Sequence, residues 1–403
     1  MKQDRKKVLV LTSTYPRVLN DSQPGFVNAL CQELSDEFDV TVLTPHFSGA
    51  CTEERYHRVK VVRFRYFFEK MQSLAYGSGI LSNLKRNKWN YLLIPFFILS
   101  QVLHIRQLLS RQQYDVVHAH WIIPQGVAFF LAKLTLKSTP PVVITSHGGD
   151  LFALSGAVGH ALQRFVLSKA DRVTVVSRFM KSFCIDQLGL SKVKISVMPM
   201  GVDLQHRFCP SEPQVTRANK IIFVGRLVEK KGVTILLQAI PLLVERFPEL
   251  EVTIIGDGIL KVDLEDEAVR LGIRDKVKFL GAVRNNDVPG YLNSHLVAIV
   301  PSIVDSRGDQ EGLGLVAVEA MGCGCVVVAS NLPALEDVVI DGENGMFFKV
   351  GDSRDLAAKL ALVLTPGDLQ SQLSKNAREY VLQKFDWRSV ANGYSVLFHE
   401  LSE

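Results

Sequence analysis

The feature that most constrains this chain is an alternation of short β-branched runs with longer helical patterns, repeated almost from end to end. "KKVLVLTS", "DVTVLT", "YDVVHAH", "PVVITSH", "DRVTVVS" and "KISVMP" are strand candidates in the first half. "KIIFVG", "LEVTIIG", "KVKFLG", "HLVAIVPS" and "CVVVAS" follow in the second. Near-continuous apolar strands separated by helices specify parallel sheets covered on both faces. A chain of 403 residues exceeds one ordinary core. The pattern breaks near "PMGVDLQHRFCPSEPQVTRANK", where Pro, Ser and polar residues replace periodicity. The expected fold is therefore α/β, with two doubly wound parallel-sheet domains over residues 1–200 and 220–385. A linker over 201–219 joins them, and a last helix over 386–403 is expected to pack back on the first domain. Ligands of such sheets bind at the carboxyl ends of the strands, where two facing domains would form a cleft.

The composition, 47% apolar and 22% charged, is that of an ordinary globular protein. Six cysteines without regular spacing point to free thiols in a reducing compartment. The start, "MKQDRKKVLVLTSTYP", reads as a first strand rather than a signal peptide, because its apolar run is short and ends in a turn. No segment reaches the ~18 to 20 apolar residues needed to span a bilayer, so a cytoplasmic location is expected. The net charge of +5 is unevenly spread: Arg55 to Arg111 holds eleven Lys and Arg against one acid, Glu69. Within it, Lys85, Arg86, Lys88 and Trp89 precede the apolar run of "LKRNKWNYLLIPFFILSQVL". An interfacial element on the anionic inner face of a membrane has this make-up. A core helix with a solvated basic end has it too, and both readings stay open. No nucleic-acid motif accompanies the basic patch, so nucleic acid is not an expected partner.

Several residues just after the strands could carry chemistry. In "KIIFVGRLVEKKGVTILLQAI", Arg226 and Lys231 flank a loop in which Gly225 and Gly232 permit close backbone approach. Cations and amides at a helix N-terminus suit phosphate. "IGDGIL", with Gly256, Asp257 and Gly258, repeats the strand-to-glycine pattern, which a tight turn explains equally well. "GDQEGLGLVAVEAMGCGC" puts Glu311 at a helix entrance and Glu319 about two turns in, among glycines and apolar residues. Carboxylates are rarely buried without partners, and a polyhydroxylated ligand would satisfy both. In the first half His118, His120 and His147 follow strands, with no carboxylate or cysteine completing a metal set. "GCGC" reads as small residues packing a helix on a strand.

"GDQEGLGLVAVEA" resembles the E-x7-E motif of the retaining GT-B glycosyltransferases, family 4 (glycosyl transferases group 1). The order "GRLVEKKG", "IGDG", "FLG", "PS…EGLGLVAVEA" and "DGENG" is similar to that family's, and "SHGGD" and "PMGVD" extend the likeness into the first half. The resemblance implies two Rossmann-like domains facing across a cleft, a nucleoside-diphosphate sugar held by the second and an acceptor by the first. It gives catalytic roles to His147, Arg226, Lys231 and Glu311. Gly25, Gly225, Gly256, Asp257, Gly258, Gly312, Leu313, Gly314, Leu315 and Glu319 would bind the donor; His120 and Asp150 would meet the acceptor. Arg226 and Lys231 would neutralise the diphosphate in place of a metal, and no cofactor is required. A leaving phosphate oxygen would take the acceptor proton, which makes His147 a ligand of sugar or acceptor rather than the base. Two departures stand out: "PRVLNDSQPGF" keeps only Gly25 of the paired glycines, and "SNLPALEDVVIDGENG" lacks a Gly-Gly step, so Glu336 receives no role.

The expected function is a retaining, metal-independent hexosyltransferase acting on a hydroxyl acceptor in polysaccharide or glycolipid biosynthesis. The basic aromatic element favours a lipid-linked acceptor and a peripheral place on the inner membrane face. The alternatives are a soluble acceptor, a nucleotide-sugar 2-epimerase of the same fold, and a two-lobed sugar-binding protein.

Overall fold

The computed structural model describes residues 5–17, 21, 25–77, 79–152, 154, 156–211, 217–306 and 308–403. The chain forms two compact units, Met1–Met198 with Val390–Glu403, and Pro199–Ser389.

The first unit is built on eight strands: β1 (Lys7–Leu11), β2 (Asp39–Pro45), β3 (Glu53–Tyr56), β4 (Val59–Phe64), β5 (Val116–His120), β6 (Val142–Ser146), β7 (Arg172–Val175) and β8 (Ile195–Val197). Their order is β3-β4-β2-β1-β5-β6-β7-β8. Every pairing is parallel except the β3–β4 hairpin. Val8 to Leu11 of β1 are wholly buried because helices cover both faces, which is why the strand reads as an apolar run and not as an alternation. The chain leaves β1 for β2 on one side and returns with β5 on the other, so the order reverses at β1.

The second unit carries six parallel strands: β9 (Lys220–Val224), β10 (Glu251–Ile255), β11 (Val277–Gly281), β12 (Val297–Val300), β13 (Val326–Ser330) and β14 (Met346–Phe348). Their order, β11-β10-β9-β12-β13-β14, reverses at β9. Both units are thus Rossmann-like doubly wound layers.

Three elements were not legible in the strand pattern. The β3–β4 hairpin lies within the basic segment. Its polar outer strand, EERY, shows no apolar run, and Arg63 of β4 is buried against the Pro16 carbonyl and the Glu54 carboxylate. The edge strand β14 has three residues, too few for a periodic signal. The stretch 201–219 is more than a linker. Leu204 and Phe208 are buried in the second unit, and the Arg378 guanidinium donates to the carbonyls of both.

Helix Trp387–Leu401 begins in the second unit and ends in the first. Phe398 packs edge-on against Phe38, and the Tyr394 hydroxyl lies 3.2 Å from that of Thr145 and 3.3 Å from that of Thr174. Ser395 donates to the Glu37 carboxylate at 2.5 Å. The six cysteines are free; burial pushes the Cys325 thiol up to about 12, and Cys325 donates to the Leu292 carbonyl, a packing role.

The basic aromatic element forms a helix (Ile80–Arg86), a 3-10 turn (Lys88–Leu93) and a helix (Ile94–Arg111). The turn and second helix join into one 24-residue stretch, Lys88–Arg111, long and apolar enough to cross a membrane by length and composition. This corrects the expectation that no segment is apolar enough to span, because scattered Gln, His and Arg do not spoil the helix's average. Phe97, Gln101 and Ile105 form its buried stripe. The opposite side leaves Leu92, Phe96, Leu99 and Leu103 in solvent, beside Trp89 at 77% exposure. Lys85, Arg86 and Lys88 are exposed next to it.

Gly256 gives a test of the second unit's packing. Its φ is +139°, and a Cβ there would lie 1.8 Å from the Gly225 carbonyl oxygen. Gly256→Ala is expected to lower stability by about 3 kcal/mol through strain and overpacking, read as a lower urea midpoint with an unchanged m-value.

Candidate active site

In the second unit the order reversal brings the loops after β9 and β12 side by side. From β9 the chain passes Gly225 and the exposed Arg226 into a 3-10 turn, Glu229–Lys231. Gly232, at φ +63°, then opens helix Val233–Ala239, and a Cβ there would meet the Pro301 carbonyl oxygen at 1.8 Å. From β12 the chain runs through Ser302 to Glu311, and Gly314 begins helix Leu315–Gly322. Lys231 Nζ lies 2.5 Å from Glu311 Oε2, with the side chains 18% and 15% exposed. A second strut beside it joins Lys230 to Asp309 at 2.9 Å. Burial pushes the Glu311 carboxyl up, but the Lys231 ammonium, and Lys230 behind it, hold it below the usual carboxylate range. The structure thus pairs two of the expected catalytic residues directly across the switch point.

Glu319 stands in the second turn of the following helix, and burial pushes its carboxyl up to about 7. The Arg207 guanidinium opposes that shift from outside the helix while it donates to the Asn285 carbonyl at 2.7 Å. Arg207 escaped the sequence reading because it lies in the stretch taken for a linker. The other donor-site candidates divide. The amides of Gly225 and Gly256 are committed to the carbonyls of Ile255 and Gly281, and Gly258 N–H donates to the Asp257 carboxylate. Leu313 and Gly314 are buried, while Gly312 has open space where a Cβ would project. Leu315 is the first residue of its helix.

In the first unit the corresponding reversal gathers the ends of β1, β5 and β6. Gly25 precedes helix Phe26–Leu34 and its carbonyl accepts from Ala29 N–H at 2.8 Å. The stretches 18–20 and 22–24 of the loop before it lie outside the described residues. His120 ends β5 and His147 follows β6; His120 Nδ1 and His147 Nε2 are hydrogen-bonded at 3.0 Å, with rings stacked 9° apart in plane. The His118 ring lies 4.2 Å from that of His120, tilted by 41°, and bonds the Thr145 hydroxyl at 2.7 Å, behind which lies Tyr394. Burial drives His118 and His147 down to about 3, and His120 well below its ordinary value with help from its two neighbours. All three imidazoles are neutral at neutral pH. Among the described residues no three His, Cys, Asp or Glu side chains gather as a metal set. Asp150 is buried; its oxygens accept from Ile122 N–H at 2.6 Å and Ser146 Oγ–H at 2.8 Å. Phe26 and Trp121, which the sequence reading passed over, flank His147 with ring centroids 4.8 and 5.2 Å away. An aromatic residue directly after a strand-end histidine was the available signal for Trp121.

The buried histidines fix a pH response. Each takes up a proton below about 6.5 when unfolded, but His118 and His147 resist protonation to about 3 when folded. The unfolded state binds more protons in that window, so stability falls as pH drops through it, by up to about 1.4 kcal/mol per pH unit and histidine. Glu319 acts oppositely between its ordinary value and about 7. His118→Gln should therefore lose stability more slowly than the parent between pH 6.5 and pH 4 in denaturant titrations.

Residues 208–380 match the family model described as "Glycosyl transferases group 1", and residues 26–206 match "Glycosyltransferase Family 4". An uncharacterised glycosyltransferase of Methanocaldococcus jannaschii is 26% identical over 367 residues, 90% of this chain and 97% of that one. The phosphatidyl-myo-inositol mannosyltransferase of Mycolicibacterium smegmatis is 30% identical over 291 residues, 71% of each chain. Among solved structures, HepE of Anabaena in complex with UDP has the same fold, with a TM-score of 0.72, 20% identity, and coverage of 98% of this chain and 100% of that one. With two Rossmann-like units and a paired Lys231–Glu311 at the switch point of the second, the chain belongs to the family 4, group 1 glycosyltransferases of GT-B fold.

Proposed function

We propose that the chain is a retaining, metal-independent hexosyltransferase that moves a sugar from a nucleoside-diphosphate donor to a lipid-linked hydroxyl acceptor. The observation that carries the donor assignment is the cation set at the switch point of the second unit. Arg226 is exposed beside the half-buried Lys231, and Lys231 is held in place by Glu311. Two cations suit a diphosphate and the charge that grows on it as the sugar leaves, the role a metal plays elsewhere; one well-placed donor is worth about 3 to 4 kcal/mol. Glu311, already anchored to Lys231, would accept from the transferred sugar, with the Gly312 to Leu315 backbone beside it. Glu319 would accept from the ribose hydroxyls. In the first unit the neutral His147 would serve as a hydrogen-bonding ligand for sugar or acceptor, while the leaving phosphate oxygen takes the acceptor proton. The UDP bound by the Anabaena protein supports a nucleotide site of this kind.

Titration calorimetry with UDP, GDP and ADP tests the donor site. One nucleotide should bind selectively, and Glu319→Ala and Arg226→Ala should each weaken it at least tenfold, about 1.4 kcal/mol. A carboxylate poised near 7 must be ionised to accept both ribose hydroxyls. Affinity should therefore fall by up to about tenfold from pH 7 to pH 6, a dependence Glu319→Gln removes. Transfer should survive a chelator; binding of no nucleotide would dismiss the donor assignment.

The lipid-linked acceptor rests on the face of Trp89, Leu92, Phe96, Leu99 and Leu103 with its flanking Lys85, Arg86 and Lys88. Apolar side chains beside clustered cations fit the interface of an anionic bilayer. The M. smegmatis relative, named for a phosphatidylinositol substrate, supports the same reading. The protein should float with vesicles containing anionic phospholipid, and the triple variant Lys85→Glu, Arg86→Glu, Lys88→Glu should not. Equal partition of both would favour a soluble acceptor.

A further inference from the structure

The backbone at Trp121 is out of place for its side chain. Its φ of 77° and ψ of 137° lie where a residue with a Cβ is rarely found, and a bulky aromatic least of all. Hydrogen bonds on either side hold it there. Trp121 N–H donates to the Thr145 carbonyl of β6 at 2.8 Å, and Gly126 N–H donates to the Trp121 carbonyl at 3.3 Å. The next amide, Ile122 N–H, donates to Asp150 Oδ2 at 2.6 Å. Asp150 is itself fixed: Oδ1 accepts from Ser146, and the Gln163 amide donates to its carbonyl. Ile122 is wholly buried, while the Trp121 side chain on the other side of the twist is half-buried.

The unfavourable conformation brings rings together. The Trp121 indole sits 5.2 Å from the His147 ring and 5.9 Å from Phe26, which lies edge-on to it. Phe26 in turn lies 4.8 Å from His147. His147 thus projects from an aromatic corner made by residues that follow β1 and β5 at the switch point. Backbone strain that surrounding bonds over-determine marks a place where side-chain aim matters more than local stability. Aromatic faces with a neutral imidazole between them suit an uncharged ring that offers C–H groups on one face and hydroxyls at its edge.

We propose that Trp121 is a specificity-determining residue whose indole, with Phe26, forms the wall on which a pyranose ring of the acceptor stacks beside His147. Asp150 is then a positioning residue that aims Trp121 through the Ile122 amide and does not touch the acceptor. The inference rests on the reading of the first unit as the acceptor's, and it adds the acceptor's chemical class: a glycoside rather than an open-chain polyol.

The test reads tryptophan emission as methyl α-D-mannoside, methyl α-D-glucoside, methyl α-D-galactoside or glycerol is added, with and without the nucleoside diphosphate that binds. At least one pyranoside should change the emission saturably, glycerol should not, and the change should vanish in Trp121→Phe while persisting in Trp89→Phe. Asp150→Asn should shift the ligand-free emission and weaken the pyranoside at least tenfold without altering nucleotide affinity. Trp121→Gly should melt above Trp121→Ala, because glycine relieves the backbone that alanine keeps strained, and both should lose the pyranoside. Emission indifferent to every pyranoside, or a change that glycerol reproduces or Trp121→Phe retains, overturns the proposal. The emission readout needs no donor, so it stands or falls apart from the nucleotide titration.

Discussion

The structure depends on one constraint: parallel strands buried on both faces admit a polar side chain only where a partner satisfies it, as the Thr145 hydroxyl does for His118. Val8 to Leu11 of β1 and Val326 to Ala329 of β13 are wholly buried. Chemistry is pushed to the carboxyl ends, and within each sheet it concentrates where the strand order reverses, since only there do two successive loops diverge and leave space. The same rule places Lys231 and Glu311 after β9 and β12, and His120 and His147 after β5 and β6.

The two units solve the burial of polar groups in opposite ways. In the second, charge is kept and paired: Glu311 remains ionised at the edge of a core because Lys231 is 2.5 Å away. At the strand ends of the first, three adjacent imidazoles stay neutral, and Asp150 is held by an amide and a hydroxyl. An ionised, cation-rich site answers a diphosphate, whereas a neutral, aromatic one answers hydroxyls and ring carbons.

The fold was legible because its signal is long and redundant: eleven apolar runs, most of them largely buried, announce parallel sheets. What escaped had short or local causes. The hairpin of β3 and β4 hides in a basic segment because its outer strand is polar, and the apolarity of helix Ile94–Arg111 was underestimated because its average, not its longest apolar run, governs. At the site, Glu311, Glu319, Arg226 and Lys231 stood out as polar residues in glycine-rich turns. Arg207 and Trp121 did not, since their importance comes from a tertiary approach and from a backbone torsion, neither of which a single sequence displays. Asp150 was found as a candidate ligand group; its hydrogen bonds to the Ile122 amide and the Ser146 hydroxyl are visible only in the structure.

Helix Trp387–Leu401 has a consequence for how the chain is made. The first unit is discontinuous: Phe38, Thr145 and Thr174 wait for Phe398 and Tyr394, which are translated after the whole of the second unit. Domains generally fold as they emerge, so here the second unit can close its core on the ribosome while the first still lacks a helix. The amino-terminal half must persist with an apolar groove uncovered throughout synthesis of its neighbour. Completion of the first unit therefore waits for helix Trp387–Leu401, which follows the second unit in the chain.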